Sequence, residues 1–341
     1  MKKMILAATA ALAMLASCSK NTDEIASSAT GSVVSITLTD KTPATTRAFF
    51  DQTAAAESWE KKINTLTLFV FDGSGNSVLQ RNFTASEISG QAATVPVPDA
   101  APGEMYSFYV IANGGAAVSV ANLGELQGKS ESESAAYNGT FDEVTTKAKR
   151  AAGFTMTGSA TQAIAAAGQT TAVQIALERL VSKVAVQATT DSKFAAAYPG
   201  RVKIESATIS NASISTRYFK EAPTGGGSSN RFSHTQAAKD LSGKYGNLFY
   251  IYGYENEKSA ESVLLTLTGI YDQDGNFSTT GDQMPVSYDV ELQGDSGKVI
   301  NRNTYRRVTV NISGLTGADV AVTITPADWE GPFNQNVDLG M

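Results

Sequence analysis

The chain has 341 residues, of which 42% are apolar, and its 27 basic and 33 acidic side chains give a formal net charge of −6. This acidic balance excludes a protein whose main partner is nucleic acid, because phosphates require a basic surface. The apolar content is sufficient for packed cores, and the length predicts about two domains after the amino-terminal region.

The amino terminus predicts a bacterial lipoprotein signal. Lys2 and Lys3 precede an apolar run over residues 4–16, which is too short to span a bilayer but suits a secretory signal. The run ends in Leu-Ala-Ser-Cys, which resembles a lipobox. We therefore predict a signal peptide over residues 1–17 and a lipid on Cys18, with an ordinary signal peptide and a chance cysteine as the alternative. Cys18 is the only cysteine, which excludes a disulfide or a catalytic thiol elsewhere in the chain.

The stretch that follows the signal combines a strand with a loop. Val34, Ile36 and Leu38 alternate with small polar residues, the period-2 pattern of a strand with one buried face. Pro43 and a series of threonines and alanines then lead to Arg47, in a loop that a protease could reach. A strand suited to a core therefore leads directly into a loop that holds a single arginine.

The next region predicts an amino-terminal β-sandwich over residues 48–176. Residues 63–71 alternate as a strand, and the Asp, Gly and Asn residues at 72–76 predict a hairpin turn into the next strand. A further strand is predicted at residues 105–113. Residues 121–152 are charged and rich in alanine, which predicts one or two short helices or long loops.

A second β-sandwich is predicted over residues 177–341. The long alternating run at residues 171–189 predicts two strands in sequence, and we place the domain boundary inside it. Further strands are predicted at residues 201–215, 246–256, 262–271, 303–315 and 319–331. Short strands separated by Gly, Asn and Asp turns, without a βαβ pattern, predict an all-β fold of two tandem sandwiches with short helices in loops.

Candidate residues for catalysis are scarce. His234 is the only histidine, and no G-x-S-x-G motif accompanies it, so we interpret it as a polar surface residue. The chain offers no catalytic residue and no cofactor motif, and we predict that it is not an enzyme. A glycosidase with paired carboxylates is the enzymatic alternative, since 33 acidic residues allow many pairs.

One acidic stretch resembles the start of a calcium loop. Asp272, Asp274 and Asn276 have the expected spacing, but the twelfth position is Gln283 in place of Glu, and Gly275 stands at the fourth position and not the sixth. The sequence therefore predicts a hairpin turn and no metal site.

Several motifs, in this order along the chain, resemble one protein family. In the amino-terminal half they are the lipobox at Cys18, the strand before Arg47, INTLTLFVFD and GFTMTG. In the carboxy-terminal half they are LERLVSKVAV, NLFYIYGYEN, NRNTYRRVTVNISGL and ITPADWEGP. The chain resembles the fimbrillins, the major fimbrial subunits of the type V pili of Bacteroidetes, over essentially its whole length. The resemblance implies two transthyretin-like β-sandwich domains.

The resemblance also implies how the protein is matured. Fimbrillin precursors are exported as outer-membrane lipoproteins, and an arginine-specific protease cuts after an arginine that follows the first strand. Here the cut would fall between Arg47 and Ala48, and the propeptide 18–47 would leave with Val34, Ile36 and Leu38. The uncut subunit would stay monomeric. A donor strand from another subunit would then fill the groove. The implied partners are copies of the same chain and accessory subunits in a cell-surface fimbrium, and the adhesion ligand is not implied.

The carboxy-terminal tail is the predicted donor. In FNQNVDLGM the apolar residues Phe333, Val337, Leu339 and Met341 fall on one face of an extended chain, interrupted only by Gln335. We expect this tail to have no partner within its own molecule. The alternatives are a frayed polar terminus and a donor strand at residues 319–325.

Two other functions are compatible with the sequence. One is an accessory subunit, where a tip adhesin would lack a usable donor tail and an anchor would lack the cleavable Arg47 loop. The other is a surface glycan-binding lipoprotein, which usually presents exposed aromatic side chains. We interpret Trp59 and Trp329 as structural, which favours the fimbrial subunit.

Overall fold

The computed structural model describes most of the chain as a β protein. The described residues are 32–40, 60, 62–90, 95–97, 102–132, 139–140, 153–166, 168–211, 213, 215–219, 231–241, 246–255, 262–292, 300–327 and 337–339. Within these ranges the chain forms mainly strands and three short helices, as the sequence predicts. Among the described helices, none has the length and apolar character needed to cross a bilayer.

In the part of the amino-terminal half that the structure describes, there are nine strands and two helices. The strands are β1 (Ser32–Asp40), β2 (Leu66–Phe71), β3 (Ser77–Phe83), β4 (Val95–Val97), β5 (Met105–Ala112), β6 (Ser130–Ser132), β7 (Gly139–Thr140), β8 (Met156–Ala163) and β9 (Thr170–Arg179). The helices are α1 (Ala85–Gly90) and α2 (Leu123–Gly128).

The described residues of the carboxy-terminal half form ten strands and one helix. The strands are β10 (Val181–Thr190), β11 (Arg201–Ser210), β12 (Ser215–Arg217), β13 (Arg231–Asp240), β14 (Gly246–Tyr254), β15 (Val263–Asp272), β16 (Gln283–Leu292), β17 (Tyr305–Ile312), β18 (Val320–Ala327) and β19 (Val337–Leu339). The helix is α3 (Ser192–Ala197).

The first sheet surrounds one hydrophobic core. Its strand order is β19-β1-β9-β8-β5-β2-β3, and β4 also pairs with β1. The pairing of β8 with β9 covers only two positions near the end of β9, at Met156↔Arg179 and Thr157↔Glu178. The sheet is therefore divided into two layers, β19-β1-β9 with β4 and β8-β5-β2-β3, whose apolar faces share one core.

The second half encloses a separate core between two sheets. One sheet has the order β18-β17-β10-β14-β7, and the other has the order β13-β11-β15-β16. Apolar residues from both sheets form a second cluster, including Val186, Ile204, Leu265, Tyr288 and Val310. Strand β9 ends at Arg179 and β10 begins at Val181, so the run at 171–189 forms two strands in sequence as predicted.

The predicted hairpin between β2 and β3 is present, and its turn residues form the contacts that such a turn needs. Asp72 Oδ1 accepts hydrogen bonds from the backbone N–H groups of Asn76 at 2.8 Å and Ser74 at 2.9 Å. These hydrogen bonds, led by the one from Asn76, hold the pKa of Asp72 below its ordinary value. Gly75 has a φ of +83°, a left-handed conformation that glycine adopts without strain.

A buried ionic cluster lies where the two halves meet. Lys183 Nζ donates to Glu60 Oε1 at 2.9 Å, and both side chains are fully buried. The hydroxyl of Tyr252 also donates to Glu60 Oε1, and the buried Arg179 donates through Nε to the Glu60 carbonyl at 2.9 Å. A residue that precedes β2 is thus bound to side chains at the end of β9 and in the carboxy-terminal sheet.

Replacement of Lys183 tests this cluster. Lys183→Met removes one partner of a buried carboxylate, and we expect it to lower the free energy of unfolding by about 3–5 kcal/mol in urea titrations. Lys193→Met changes an exposed lysine on α3 and is the matched control, with an expected effect within about 0.5 kcal/mol. Equal effects of the two substitutions would contradict a structural role for the buried pair.

Candidate functional site

Strand β1 is the element around which the candidate site is built. Val34, Ile36 and Leu38 have no exposed surface, whereas Val33, Ser35, Thr37 and Thr39 between and beside them are partly exposed. The alternation of apolar and polar residues in the sequence thus gives β1 one buried face and one partly exposed face. Full burial of three such side chains contributes roughly 1.5–3 kcal/mol each.

One edge of β1 pairs in parallel with β9. The register runs over eight positions, from Val33↔Thr170 to Asp40↔Leu177. Ile36 lies beside Val173 and Leu38 beside Ile175, and all four side chains are buried in the first core. Because parallel strands need a long connection, β1 is held to β9 by contacts between segments that are far apart in sequence.

The other edge of β1 begins against β4. Ser32, Val33 and Val34 lie opposite Val97, Pro96 and Val95. Both valines of β4 are fully buried, so they extend the apolar surface that β1 contacts. Sequence reasoning missed this strand, although Val-Pro-Val gives a short alternation in which proline favours an edge strand.

The rest of that edge pairs with the carboxy-terminal tail. Strand β19 lies antiparallel to β1, with Leu339 opposite Ile36, Asp338 opposite Thr37 and Val337 opposite Leu38. The expectation that the tail has no partner in its own molecule is therefore wrong. The physical reason is the short length of β4, which leaves the backbone groups of β1 beyond Val34 available for another strand.

Some of the other predicted site residues lie within the described part of the chain and some lie outside it. Val337 and Leu339 lie beside β1 by register, whereas Cys18, Arg47, Ala48, Phe333 and Met341 lie outside the described residues. His234 lies on β13, opposite Ala207 of β11 and in the other sandwich. Trp59 and Trp329, which the sequence analysis interprets as structural, also lie outside the described residues.

Comparison with known proteins agrees with this architecture. Residues 32–208 match the family described as major fimbrial subunit protein (FimA), and the match begins at the first residue of β1. The matched segment is more than half of the chain. The protein belongs to this FimA family. No curated protein sequence matches the chain.

Solved structures of other proteins have the same fold as this FimA family member. A fimbrilin from Porphyromonas gingivalis is 17% identical, with a TM-score of 0.55, and the match covers 88% of this chain and 98% of that one. A fimbrial assembly protein from Parabacteroides distasonis is 15% identical, with a TM-score of 0.50 and coverage of 87% and 99%. The tip fimbrial protein Mfa3 from P. gingivalis is also 15% identical, with a TM-score of 0.50 and coverage of 87% and 100%.

Membership of the FimA family sets the general function. The family consists of structural subunits of cell-surface fimbriae, and such subunits polymerise with themselves and with accessory subunits. The protein is thus a fimbrial protein, in agreement with the resemblance seen in the sequence.

Truncation of Ile36 tests the contribution of β1 to the uncut protein. Ile36→Ala leaves a cavity in the first core, and we expect the free energy of unfolding to fall by about 2–5 kcal/mol in denaturant titrations. Thr37→Ala changes the partly exposed neighbour on the same strand and should stay within about 0.5 kcal/mol of the unmodified chain. If both variants lost the same stability, the buried face of β1 would not be the stabilising feature.

Proposed function

We propose that this FimA family member is a stalk subunit that is exported as a lipoprotein on Cys18, cut between Arg47 and Ala48, and polymerised by donor-strand exchange. The observation that carries the proposal is the placement of β1. It is a central strand with a fully buried apolar face, and it lies only a few residues before Arg47 in the sequence.

The energetic consequence of the cut supports this mechanism. Loss of Val34, Ile36 and Leu38 forfeits about 5–9 kcal/mol of apolar burial, taken as three side chains at roughly 1.5–3 kcal/mol each. A folded domain is typically stable by only about 5–15 kcal/mol. The cut subunit would therefore have an incomplete amino-terminal sandwich, and a strand from another subunit could restore the lost burial and the lost backbone hydrogen bonds together.

The pairing of β19 with β1 adds a second consequence. In the uncut chain, β1 covers the edge of β9 and also holds the tail. Removal of β1 would open an acceptor groove between β9 and β4, and the same event would leave residues 337–339 without their partner strand. One cleavage would thus produce both the acceptor and a free donor, while the uncut subunit would hide both.

The donor would replace the side chains that the cut removes. Phe333, Val337, Leu339 and Met341 repeat at alternate positions, apart from Gln335, as Val34, Ile36 and Leu38 do. Ordering the tail costs about 1–2 kcal/mol per residue, so burial of these apolar side chains must make the sum favourable. The donor strand would come from the tail of a neighbouring copy.

The implied partners and location follow from the same sequence of events. The precursor would be anchored in the outer membrane through the lipid on Cys18, and an arginine-specific protease would release it at Arg47. The mature chain would then assemble with its own copies and with accessory subunits in the surface fimbrium.

An accessory tip subunit is the second candidate, because one structure of the same fold is the tip fimbrial protein Mfa3. A tip subunit accepts a donor strand but has no need to supply one. The tail of this chain has an alternating apolar pattern and forms a strand with β1. That property favours the stalk subunit.

Substitution of the arginine tests the cleavage step. Arg47→Ala should give a folded monomer that does not form filaments after treatment with an arginine-specific protease, because β1 stays in its groove. The cut wild-type chain should begin at Ala48 by mass spectrometry and form filaments visible by electron microscopy. Filaments from uncut Arg47→Ala, or filaments that retain residues 19–47, would show that strand removal is not the trigger.

Substitutions on the two faces of the tail test the donor. After cleavage, Leu339→Asp should abolish filament formation, because a charge would enter an apolar groove at a cost of several kcal/mol. Asn336→Asp places the same charge on the opposite face and should assemble almost normally. The uncut Leu339→Asp monomer should remain folded by circular dichroism, since β19 pairs with β1 at only three positions. Equal loss of assembly in both variants would point to a donor elsewhere, such as residues 319–325.

A further inference from the structure

The connection between β15 and β16 brings three aspartates together. Asp272 is the last residue of β15, and it lies opposite Gln283, the first residue of β16. This register closes the hairpin and returns Asp282 to the side of Asp272, while Asp274 stands in the loop between them. One carboxylate oxygen from each of the three residues lies within 4.8 Å of the other two.

One carboxylate oxygen of Asp272 is buried and accepts no hydrogen bond. The residue has no exposed surface, and its Oδ2 accepts a hydrogen bond from Gln283 Nε2 at 2.9 Å. Its Oδ1 is buried and has no hydrogen-bond partner. A buried carboxylate oxygen without a partner is unfavourable, so such atoms are rare, and a bound cation is one partner that would satisfy this oxygen.

The loop fixes the positions of the other two carboxylates. The backbone N–H of Asp274 donates to Asp282 Oδ2 at 3.0 Å, and the N–H of Asn276 donates to Asp274 Oδ1 at 2.7 Å. Gly275 has a φ of +75°, which allows the loop to turn between these two hydrogen bonds. Each of these two hydrogen bonds uses one oxygen of the carboxylate that accepts it.

The neighbouring cations are engaged with other groups. Arg201 on β11 pairs with Asp240 and donates through Nη1 to the carbonyl of Gly275 at 3.1 Å. Lys203 pairs with Glu205 at 2.9 Å. Within the described ranges, no ion pair joins either residue to the three aspartates, so three carboxylates stand close together without a basic side chain paired to them.

We propose that Asp272, Asp274 and Asp282 bind a calcium ion. All three ligands are hard oxygen donors, and Ca²⁺ binds oxygen at about 2.3–2.6 Å, so two of its ligand oxygens cannot be more than about 5.2 Å apart. The observed limit of 4.8 Å satisfies this condition. Ca²⁺ takes about six to eight ligands in irregular geometry, so water and loop oxygens complete the sphere, whereas Mg²⁺ requires near-ideal octahedral geometry.

The site differs from the calcium loop that the sequence resembles. Gln283, at the twelfth position, is not a ligand and instead donates to Asp272. The third carboxylate comes from Asp282, one residue earlier, because the hairpin register places it there. A site with three protein carboxylates suits the weak binding of extracellular modules, with a Kd of about 10⁻⁴–10⁻³ M.

Binding would join the end of β15, the start of β16 and the loop between them. These strands form one side of the β13-β11-β15-β16 sheet. The ion would therefore stabilise the carboxy-terminal sandwich, and this effect is independent of the cleavage and donor-strand mechanism. Failure of either proposal leaves the other intact.

Calorimetry and thermal unfolding of the purified uncut chain test the site. Addition of about 5 mM CaCl₂ to chelator-treated protein should give saturable heat and raise the Tm by about 2–6 °C, while MgCl₂ at the same concentration should give a much smaller shift. Asp274→Asn and Asp282→Asn should each weaken Ca²⁺ binding by at least about tenfold. Asp289→Asn, an exposed carboxylate on β16 outside the cluster, is the matched control and should bind Ca²⁺ as the wild type does.

Two results would overturn the proposal. One is the absence of a Ca²⁺-dependent heat and Tm shift in the wild-type chain. The other is an unchanged response in both Asp274→Asn and Asp282→Asn, which would place the ion elsewhere. Asp272→Asn would be less decisive, because Asp272 is buried and its substitution would also affect folding directly.

Discussion

The core of the amino-terminal sandwich is completed by β1, a strand that takes no part in the antiparallel pairs formed by β2, β3, β5 and β8. Strand β2 pairs with β3 and β5, and β5 pairs with β8, so none of these antiparallel contacts involves β1. Strand β1 pairs in parallel with β9 instead, across a large separation in sequence. A chain break between β1 and β2 would therefore leave intact every strand pair of the sheet that does not include β1. The same break would turn β1 into a separate peptide that is held only by hydrogen bonds and packing.

Patterns local in sequence were sufficient for much of this fold. The alternation of Val34, Ile36 and Leu38 gave β1 and its buried face, and the Asp72 turn gave the β2–β3 hairpin. The long run at 171–189 gave two consecutive strands because its alternation continues past the length of a single strand. These features depend on residues that are neighbours along the chain, where side-chain period and turn chemistry act directly.

Contacts between distant segments were not predictable in the same way. Nothing in residues 337–339 specifies antiparallel pairing with Ile36 and Leu38, since many strands offer the same alternation. Strand β4 was missed because three residues with a central proline give a weak local signal. Asp282 lies close to Asp272 because of the register of the β15–β16 hairpin. The spacing of residues along the sequence does not specify that register.

The junction between the two sandwiches has a mechanical consequence. Strand β9 pairs with β1, and β10 is the central strand of the five-stranded sheet. Only one residue, the buried Leu180, separates β9 from β10 along the chain. If a donor strand occupied the groove beside β9, a pulling force applied through it would be carried along one backbone into the middle of the second sheet. The fully buried Arg179 and Lys183 flank this link. Tension along a row of such subunits would thus pass through covalent bonds within each subunit, and the non-covalent strand contacts between subunits would be the places where the row yields.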